Sequence, residues 1–351
     1  MRVLVLGGTG AMGVHLLKLL KKKDVTIYVT SRAKRIGNEQ VKYIQGDAHS
    51  IDFLYPILEQ GWDVIVDFMS YTTTSFLSRI DNILKATNQY IYLSSGRVYG
   101  NSEGFLKEES PRLLDISSDK KFLSTDEYSL AKARQEDILR NSKYQNWTII
   151  RPYITYSEIR LQLGVLEKEE WLYRAINGRT IVLSKEIMQQ CTTLTYAEDV
   201  ARVIFKIIGK KDSLTEVFHV TTNEYVSWDS ILRYYLQVLE NHLGYRPKVL
   251  LQDFNLFFET KPTEYQIKYD RLFHRKFDNT KACEFTGITN FTLISDGIEK
   301  CLKEFLKAPR FNIMDWKYEA IRDKQSKEST PLQEIPTFKQ KVKYFIYRYL
   351  M

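Results

Sequence analysis

The chain has 351 residues, of which 44% are hydrophobic and 27% are charged, and its formal net charge is +8. This length is sufficient for one large α/β unit, or for a nucleotide-binding domain with a smaller second domain. The sequence shows neither an apolar run long enough to span a bilayer nor a signal-like segment at its start, so we expect a cytoplasmic protein without an integral membrane segment.

The cysteines and histidines do not indicate a metal site. Cys191, Cys283 and Cys301 are far apart and form no CxxC pair, and the five histidines lack any metal-binding spacing. We therefore predict no disulfide framework and no metal. The basic residues are spread along the chain rather than grouped, which argues against nucleic acid as a partner, and an anionic small molecule would also favour a positive cleft.

Up to about residue 150, short β-branched runs alternate with helical patterns, as the βαβ units of a parallel sheet require. The predicted strands are Arg2–Leu6, Val25–Thr30, Val41–Gln45, Val64–Phe68, Tyr90–Ser94 and Trp147–Arg151. The predicted helices are Leu16–Lys23, Ile51–Glu59, Ser75–Thr87 and a longer one at about 126–141. This order predicts an α/β fold with a doubly wound parallel sheet, the Rossmann fold.

The second half is less regular. We predict a helix over 158–177, a strand over 180–183, a strand or loop over 189–195, a helix in "TYAEDVARVIFKIIG" and a strand in "EVFHVTT". Ser227 is a suitable N-cap for the helix "WDSILRYYLQVLENHLG", which ends at Gly244. The predicted domains are a nucleotide-binding domain (1–152, with returns near 193–222), a smaller interleaved substrate lobe (153–192 and 223–308) and a C-terminal extension (309–351).

The extension closes with the basic and aromatic stretch "FKQKVKYFIYRYLM". We interpret it as a helix packed on the protein's own surface, and the alternative is a helix that binds a membrane surface or a partner.

Glycines at positions 7, 10 and 13 follow the first strand and open the first helix, an arrangement typical of dinucleotide binding. Gly7 permits a tight turn, Gly10 lets backbone amide groups approach a pyrophosphate, and Gly13 lets helix and strand pack closely. The positive end of the helix dipole adds to the attraction. We expect cofactor contacts from Gly7, Thr9, Gly10, Ala11, Met12 and Gly13.

The end of the second strand bears on which dinucleotide binds. An NAD site usually has a carboxylate there, whereas "VTSRAKR" contains Ser31 and Arg32 and no acid. A hydroxyl and an arginine suit a 2′-phosphate, so NADP(H) is preferred and NAD(H) remains an alternative. Further cofactor contacts are expected at the ends of the next two strands, from Asp47, Ala48, Phe68, Met69 and Ser70.

Two further motifs, "YIYLSSGRVYG" (90–100) and "YSLAK" (128–132), follow the glycine motif. With it, and with the later "WTIIRP" and "TLTYAEDVA", the sequence from residue 1 to about 305 resembles the extended short-chain dehydrogenase/reductase family of nucleotide-sugar epimerases, dehydratases and ketoreductases. The resemblance implies that Tyr128 is the general acid or base and that Ser95 binds the reacting oxygen. It also implies that Lys132, one helical turn from Tyr128, favours the phenolate and holds the nicotinamide ribose.

The resemblance also narrows the reaction. Dehydratases of the family carry an Asp-Glu pair where this chain has Gly96 and Arg97, so water elimination is not expected. Many epimerases have an asparagine where this chain has Tyr153. The candidate substrate contacts are Gly96, Arg97, Tyr153, Arg160 and Arg179.

The residues themselves predict carbonyl/alcohol redox chemistry with a dinucleotide. The resemblance implies the substrate, and on it we expect an NADPH-dependent reductase of a nucleotide-linked 4-keto-6-deoxyhexose, similar to dTDP-4-dehydro-6-deoxyglucose reductase, in surface polysaccharide biosynthesis. One alternative is a nucleotide-sugar 4-epimerase with tightly bound NAD. Another is a non-catalytic relative that binds nucleotides or RNA. Members of the family are often dimers, and a homodimer is consistent with the resemblance.

Overall fold

The computed structural model describes all 351 residues and contains two compact units. The first consists of Met1–Ser157, Thr193–Glu224 and Lys276–Thr292, and the second of Glu158–Thr192, Tyr225–Arg275 and Leu293–Met351. Residues 276–292 thus belong to the first unit rather than to the second lobe. The stretch 309–351 is part of the second unit and not a separate extension.

The first unit is built on a seven-stranded sheet in which every pair of neighbours is parallel. The strands are β1 (Arg2–Leu6), β2 (Thr26–Ser31), β3 (Val41–Gln45), β4 (Trp62–Asp67), β5 (Thr87–Leu93), β6 (Trp147–Pro152) and β7 (Val217–Val220). Their spatial order is β7-β6-β5-β4-β1-β2-β3. The connection reverses direction between β1 and β4, so the predicted doubly wound Rossmann sheet is confirmed, and ligands of such sheets bind at this point.

Helices cover both faces of the sheet. The longer ones are α1 (Ala11–Leu20), α2 (Ile51–Leu58), α3 (Thr73–Lys85), α4 (Tyr128–Arg140) and α5 (Ala197–Ile207). Short helical turns lie at Gly96–Val98, Leu113–Ile116, Lys120–Leu123, Lys211–Ser213 and Thr280–Thr286, and the short strands Thr155–Tyr156 and Thr195–Tyr196 pair in parallel. In α5, buried apolar residues recur every three or four positions and pack against α1, which forms the core on that face.

Residues 276–292 complete this first unit by specific contacts. The Leu106 amide donates to the Lys276 carbonyl (2.8 Å), and the Phe285 ring lies against Phe218 of β7 (centroids 4.9 Å apart). The segment therefore extends the core beyond the last strand of the sheet.

The second unit is mainly helical. Its longer helices are α6 (Trp228–Leu243), α7 (Ile294–Lys307), α8 (Trp316–Ser326) and α9 (Phe338–Phe345). Shorter helical segments are Leu172–Ile176, Lys185–Met188, Phe254–Thr260, Glu264–Gln266, Ile267–Arg271, Leu332–Glu334 and Ile346–Leu350. Two-stranded pairs join Ile181–Ser184 to Val249–Gln252, Cys191–Thr192 to Val226–Ser227, and Gln162–Leu163 to Leu166–Glu167.

The boundaries of α6 agree with the sequence prediction. The Ser227 hydroxyl accepts from the Ser230 amide (3.1 Å), and Gly244 has a left-handed backbone with φ of +76°. The predicted helix over 158–177, in contrast, is wrong. Gly164, with φ of +59°, lies in a tight turn of an antiparallel hairpin, and only Leu172–Ile176 is helical. No helix in the structure has both the length and the apolar composition needed to cross a membrane.

A buried ion-pair network holds α8 within the second unit. The Arg174 guanidinium is fully buried and donates to Glu319 (2.6 Å), Asp323 (2.8 Å) and Glu328 (3.1 Å). Burial raises the pKa of the Glu319 carboxyl, and the positive charge of Arg174 acts in the opposite direction. Removing the cation would leave these carboxylates buried without their main partner.

We predict that Arg174→Met destabilises the second unit by about 3–5 kcal/mol, because a broken buried ion pair leaves uncompensated charge. Arg233→Met is the matched control, since Arg233 pairs with Asp229 (2.5 Å) while 72% exposed, and it should cost less than about 1 kcal/mol. Urea unfolding of both variants measures the difference. Equal free energies of unfolding would show that the buried network contributes no more than a surface pair.

Candidate active site

The glycine turn after β1 is shaped by close packing. Gly7 has φ of +69°, and a Cβ there would lie 2.9 Å from the Met69 Sδ. A Cβ on Gly13 would collide with the carbonyl of Gly8, so α1 and the turn can approach closely only without that side chain. The Gly7 amide donates to the Thr30 hydroxyl at the end of β2 (3.2 Å), which fixes the turn to the neighbouring strand.

The N-terminus of α1 presents backbone amide groups. Its N-cap is Gly10, which has no side chain to bond the first-turn amides, and a Cβ there would approach nothing closer than the Gly7 carbonyl at 3.8 Å. Free amide donors together with open space suit an anionic group. The residues present therefore fit the pyrophosphate of a dinucleotide.

The residues predicted from four strand ends meet in one cleft. Because β1 and β4 are neighbours and the Phe68 amide donates to the Leu6 carbonyl (3.0 Å), the segments that follow these strands lie side by side. The cleft is lined by Gly7, Thr9, Gly10, Ser31, Arg32, Asp47, Ala48, Phe68, Met69 and Ser70, all predicted, and by Thr30, Gly46 and His49, which were not. Of the other predicted cofactor contacts, Ala11, Met12 and Gly13 form the first turn of α1.

The Ser31 and Arg32 side chains differ in their freedom. The Ser31 hydroxyl donates to the Ala33 carbonyl (2.9 Å) and accepts from the Arg35 Nε (3.3 Å), whereas Arg32 is exposed at the cleft. The Asp47 Oδ1 accepts from the His49 amide (3.0 Å) in a local turn. Arg32 is thus a cation available to a ligand, and Ser31 helps to hold the loop in shape.

The predicted catalytic residues lie beside the end of β5. Tyr128 is the first residue of α4 and 39% exposed, and Lys132 follows one turn later and is buried. The Lys132 Nζ donates to the Leu93 carbonyl (2.7 Å) and lies 5.9 Å from the centre of the Tyr128 ring. This hydrogen bond ties α4 to the strand end that leads into Ser95.

Arg97 connects Ser95 to Tyr128. The Ser95 hydroxyl accepts from the Arg97 amide (3.2 Å), while the Arg97 guanidinium lies over the Tyr128 ring (5.2 Å) and pairs with Glu127 (2.6 Å). The structure thus brings Ser95, Tyr128 and Lys132 together at one edge of the sheet. Arg97, predicted as a substrate contact, is in addition a neighbour of the tyrosine.

The environment of Lys132 changes its acidity. Burial lowers the pKa of Lys132 to about 8, although the carboxylates of Asp67 and Glu136 act in the opposite direction. Burial also raises the pKa of Asp67, which accepts from the hydroxyls of Tyr71 (3.0 Å) and Tyr90 (2.9 Å). The ammonium group therefore titrates much closer to neutral pH than an exposed lysine does.

Glu136 of α4 belongs to a second group of buried charged residues. Glu136 accepts from the Ser94 hydroxyl (2.5 Å) and from Arg151 (2.8 and 2.5 Å). Burial raises the pKa of Glu136, but pairing with Arg151 outweighs it, so the pKa lies below its ordinary value. The sequence analysis missed this pair. The only signal was the spacing of Glu136, four residues after Lys132 on the same helix face.

The structure favours structural roles for three of the five candidate substrate residues. Tyr153 is 1% exposed, and its ring centre lies 4.9 Å from that of Phe277. Gly96 is buried next to the Cβ of Tyr153 and the ring of Phe277. Arg179 is buried and pairs with Glu334 (2.9 Å), so we do not retain it as a diphosphate ligand. Arg160 is 42% exposed and pairs with Glu167 (3.0 Å), and it remains a candidate.

Comparisons with known proteins agree with this geometry. Residues 3–220, well over half of the chain, match the NAD dependent epimerase/dehydratase family. The matching region contains the glycine turn, Ser95, Tyr128 and Lys132. A curated relative, the chloroplast stem-loop binding protein of 41 kDa b from Arabidopsis thaliana, is 26% identical over 252 residues, 66% of this chain. The chain spans 61% of that relative's length.

Solved structures of low sequence identity share the fold. The UDP-glucuronic acid 4-epimerase from Bacillus cereus, in complex with UDP-glucuronic acid and NAD, has a TM-score of 0.65 at 18% identity, over 88% of this chain and 99% of that one. The dTDP-glucose 4,6-dehydratase from Bacillus anthracis, in complex with NAD, has a TM-score of 0.64 at 15% identity, over 88% and 97% of the two chains. The family match, the seven-stranded sheet and the arranged site agree, and the chain belongs to the NAD dependent epimerase/dehydratase family.

Proposed function

We propose that the chain is an oxidoreductase that moves a hydride between a nicotinamide dinucleotide and a carbon of a nucleotide-linked sugar. The observation that carries this proposal is the arrangement of Ser95, Tyr128 and Lys132 at the carboxyl end of β5, the same end of the parallel sheet at which the glycine turn follows β1. A site that only bound a nucleotide would not need a partly exposed phenol held beside a buried ammonium group.

In this proposal the dinucleotide, when bound, supplies or accepts the hydride. Tyr128 gives a proton to the sugar oxygen during reduction, or takes it during oxidation, and the Ser95 hydroxyl stabilises the charge on that oxygen. The Lys132 ammonium holds ribose hydroxyls and stabilises the phenolate of Tyr128. The amides at the N-terminus of α1 bind the pyrophosphate.

The more specific proposal is an NADPH-dependent reduction of a 4-keto-6-deoxyhexose such as dTDP-4-dehydro-6-deoxyglucose. It is supported by Arg32, an exposed cation in a cleft whose β2 end has no carboxylate. The second candidate is a nucleotide-sugar 4-epimerase that retains NAD, supported by the NAD complexes of fold relatives.

Two measurements distinguish these candidates. The first is the cofactor content of the purified protein, and the second is NADPH oxidation with a panel of 4-keto nucleotide sugars, with the products identified by NMR. Stoichiometric NAD without NADPH oxidation would contradict the reductase.

We expect Tyr128→Phe to lower kcat by about 10²–10⁴ while dinucleotide affinity stays within about twofold, because the change removes the proton donor but keeps the ring. Turnover with the accepted nucleotide sugar and fluorescence titration of the dinucleotide measure the two effects. Tyr245→Phe is the control, since that tyrosine is similarly exposed, 41% compared with 39%. Unchanged biological function in Tyr128→Phe would indicate a binding protein, the role that the name of the Arabidopsis relative suggests.

Arg32→Ala is expected to weaken NADP⁺ binding about 10- to 100-fold and to leave NAD⁺ binding unchanged, because only the 2′-phosphate needs the guanidinium. Calorimetric titration of both dinucleotides gives the two affinities. Lys121→Ala, an equal loss of charge at an exposed position in the helical segment Lys120–Leu123, serves as the control. An equal loss for NAD⁺ and NADP⁺ would contradict the assignment of Arg32 to the 2′-phosphate.

The pKa of Lys132 predicts a pH dependence of cofactor binding. Since the ammonium is present below pH 8 and lost above it, dinucleotide affinity should fall about tenfold between one pH unit below and one above that value. The Lys132→Met variant should bind the dinucleotide weakly at every pH and show no such step in affinity. The Lys120→Met variant should bind it like the unchanged protein. A step of the same size in Lys132→Met would assign the titration to another group.

The same shift affects stability. The pKa of Lys132 is lowered in the folded state, so the unfolded chain binds more protons between pH 8 and the ordinary lysine value. Burial of the charged lysine thus lowers the free energy of unfolding most below pH 8. The free energy of unfolding rises as the pH rises through that window, because the folded protein no longer has to bury a charge. The Lys132→Met variant should lack this pH dependence of the free energy of unfolding, which urea unfolding at several pH values measures.

A further inference from the structure

The last helical segments of the second unit, α9 and the turn Ile346–Leu350, have one face bound to the protein. Tyr344 is buried, and its hydroxyl donates to the Asp323 Oδ2 (2.5 Å) and accepts from the Thr330 amide (2.7 Å). The Arg348 Nε donates to the Glu328 carbonyl (2.8 Å). Because Asp323 lies on α8, which the Arg174 network holds, this orientation is fixed by buried bonds.

The other face presents an apolar row, which we define as Phe338, Val342, Phe345, Ile346, Tyr349 and Leu350. These residues recur every three or four positions, so they lie along one side of the helix. All six are exposed, Phe338 to 82% and Leu350 to 71%, and the rings of Phe345 and Tyr349 lie 5.1 Å apart. Single exposed apolar residues are ordinary, whereas an apolar row on one side of a helix with cations next to it is the pattern of an interfacial helix.

Basic residues border the apolar row on both sides. At about 100° per residue along α9, Lys339 and Lys343 lie on one side of it, and Lys341 lies on the other. No aspartate or glutamate occurs between Ile335 and Met351. Lys343 pairs with Asp315 (2.9 Å), while Lys339 and Lys341 form no ion pair in the structure. The surface therefore combines apolar area with uncompensated positive charge.

We infer that the apolar row binds the headgroup region of an anionic lipid bilayer and attaches the protein to its surface. The six apolar side chains enter the interface, and Lys339 and Lys341 lie against lipid phosphates. The buried bonds of Tyr344 keep the second unit attached to the helix while its outer face is in the membrane. This attachment is independent of the proposed catalysis.

Two observations favour lipid over a second copy of this chain. A two-fold dimer through the apolar row would bring the same cations against each other, since such an interface pairs a surface with itself. The area is also too small. Segments of 8 and 5 residues form a rod about 20 Å long and about 10 Å wide, or about 200 Å², compared with roughly 800 Å² per partner in a stable dimer.

The test is sedimentation of the full chain with sucrose-loaded vesicles of phosphatidylcholine, with or without phosphatidylglycerol. We expect binding to the anionic vesicles that declines as salt is raised. Phe338→Ser/Phe345→Ser should abolish it. Lys339→Gln/Lys341→Gln should lower the partition coefficient about 25-fold, since each cation near an anionic surface contributes about fivefold.

Matched controls remove equivalent groups elsewhere. Ile36→Ser/Leu77→Ser replaces two exposed apolar side chains of the first unit, and Lys120→Gln/Lys121→Gln removes two exposed lysines there. Both should bind vesicles like the unchanged protein, and circular dichroism checks that every variant is folded.

Three results would overturn the inference. The first is vesicle binding that survives Phe338→Ser/Phe345→Ser. The second is a stable dimer, seen by analytical ultracentrifugation, that the same variant converts to monomer. The third is an absence of vesicle binding together with tight binding of an RNA oligonucleotide that Lys339→Gln/Lys341→Gln removes.

Discussion

The site depends on one buried hydrogen bond, from the Lys132 ammonium to the carbonyl of Leu93. It joins α4, which carries Tyr128 one turn before Lys132, to the end of β5, which leads into Ser95. A buried ammonium is costly unless it is compensated, and here a carbonyl and the nearby carboxylates of Asp67 and Glu136 compensate only part of the cost, so the pKa of Lys132 stays lowered. Because the same ammonium group ties α4 to β5 and has a lowered pKa, a substitution at Lys132 alters packing and charge together.

The two carboxylates near that bond have hydrogen-bond partners of their own. Glu136 is itself held by Arg151 and Ser94, and Asp67 by two tyrosine hydroxyls. Each of these buried groups has a partner, which lets a polar network remain inside the core. The phenol of Tyr128, in contrast, is partly exposed beside these buried and hydrogen-bonded groups.

Much of the first unit could be predicted from the sequence because its strands are short apolar runs separated by turns. β1 and β3 have the predicted limits, and the glycine spacing located the cleft. Pairings between distant residues could not be predicted in this way. Nothing local indicates that Arg151 pairs with Glu136, or that Arg179 pairs with Glu334 rather than with a ligand.

The second unit was harder because its elements are short and their patterns ambiguous. The stretch around Gly164 has apolar residues at spacings compatible with a helix, but the positive φ at that glycine forms a hairpin. The stretch after Thr337 has aromatic residues on every side, so the sequence alone could not show which face is bound. The burial of Tyr344 decides it, since one buried hydroxyl fixes the rotation of the whole helix.

The first unit consists of three separate stretches of the chain, and this affects how it folds during synthesis. Residues 276–292, which pack on β7, are synthesised only after two stretches of the second unit, of 35 and 51 residues, have been made. Until then Phe218 lacks its aromatic neighbour Phe285 and part of the apolar core is open to water. The two units are thus interdependent in the order of their folding, and the nascent chain has a period in which it is exposed to aggregation and chaperone binding.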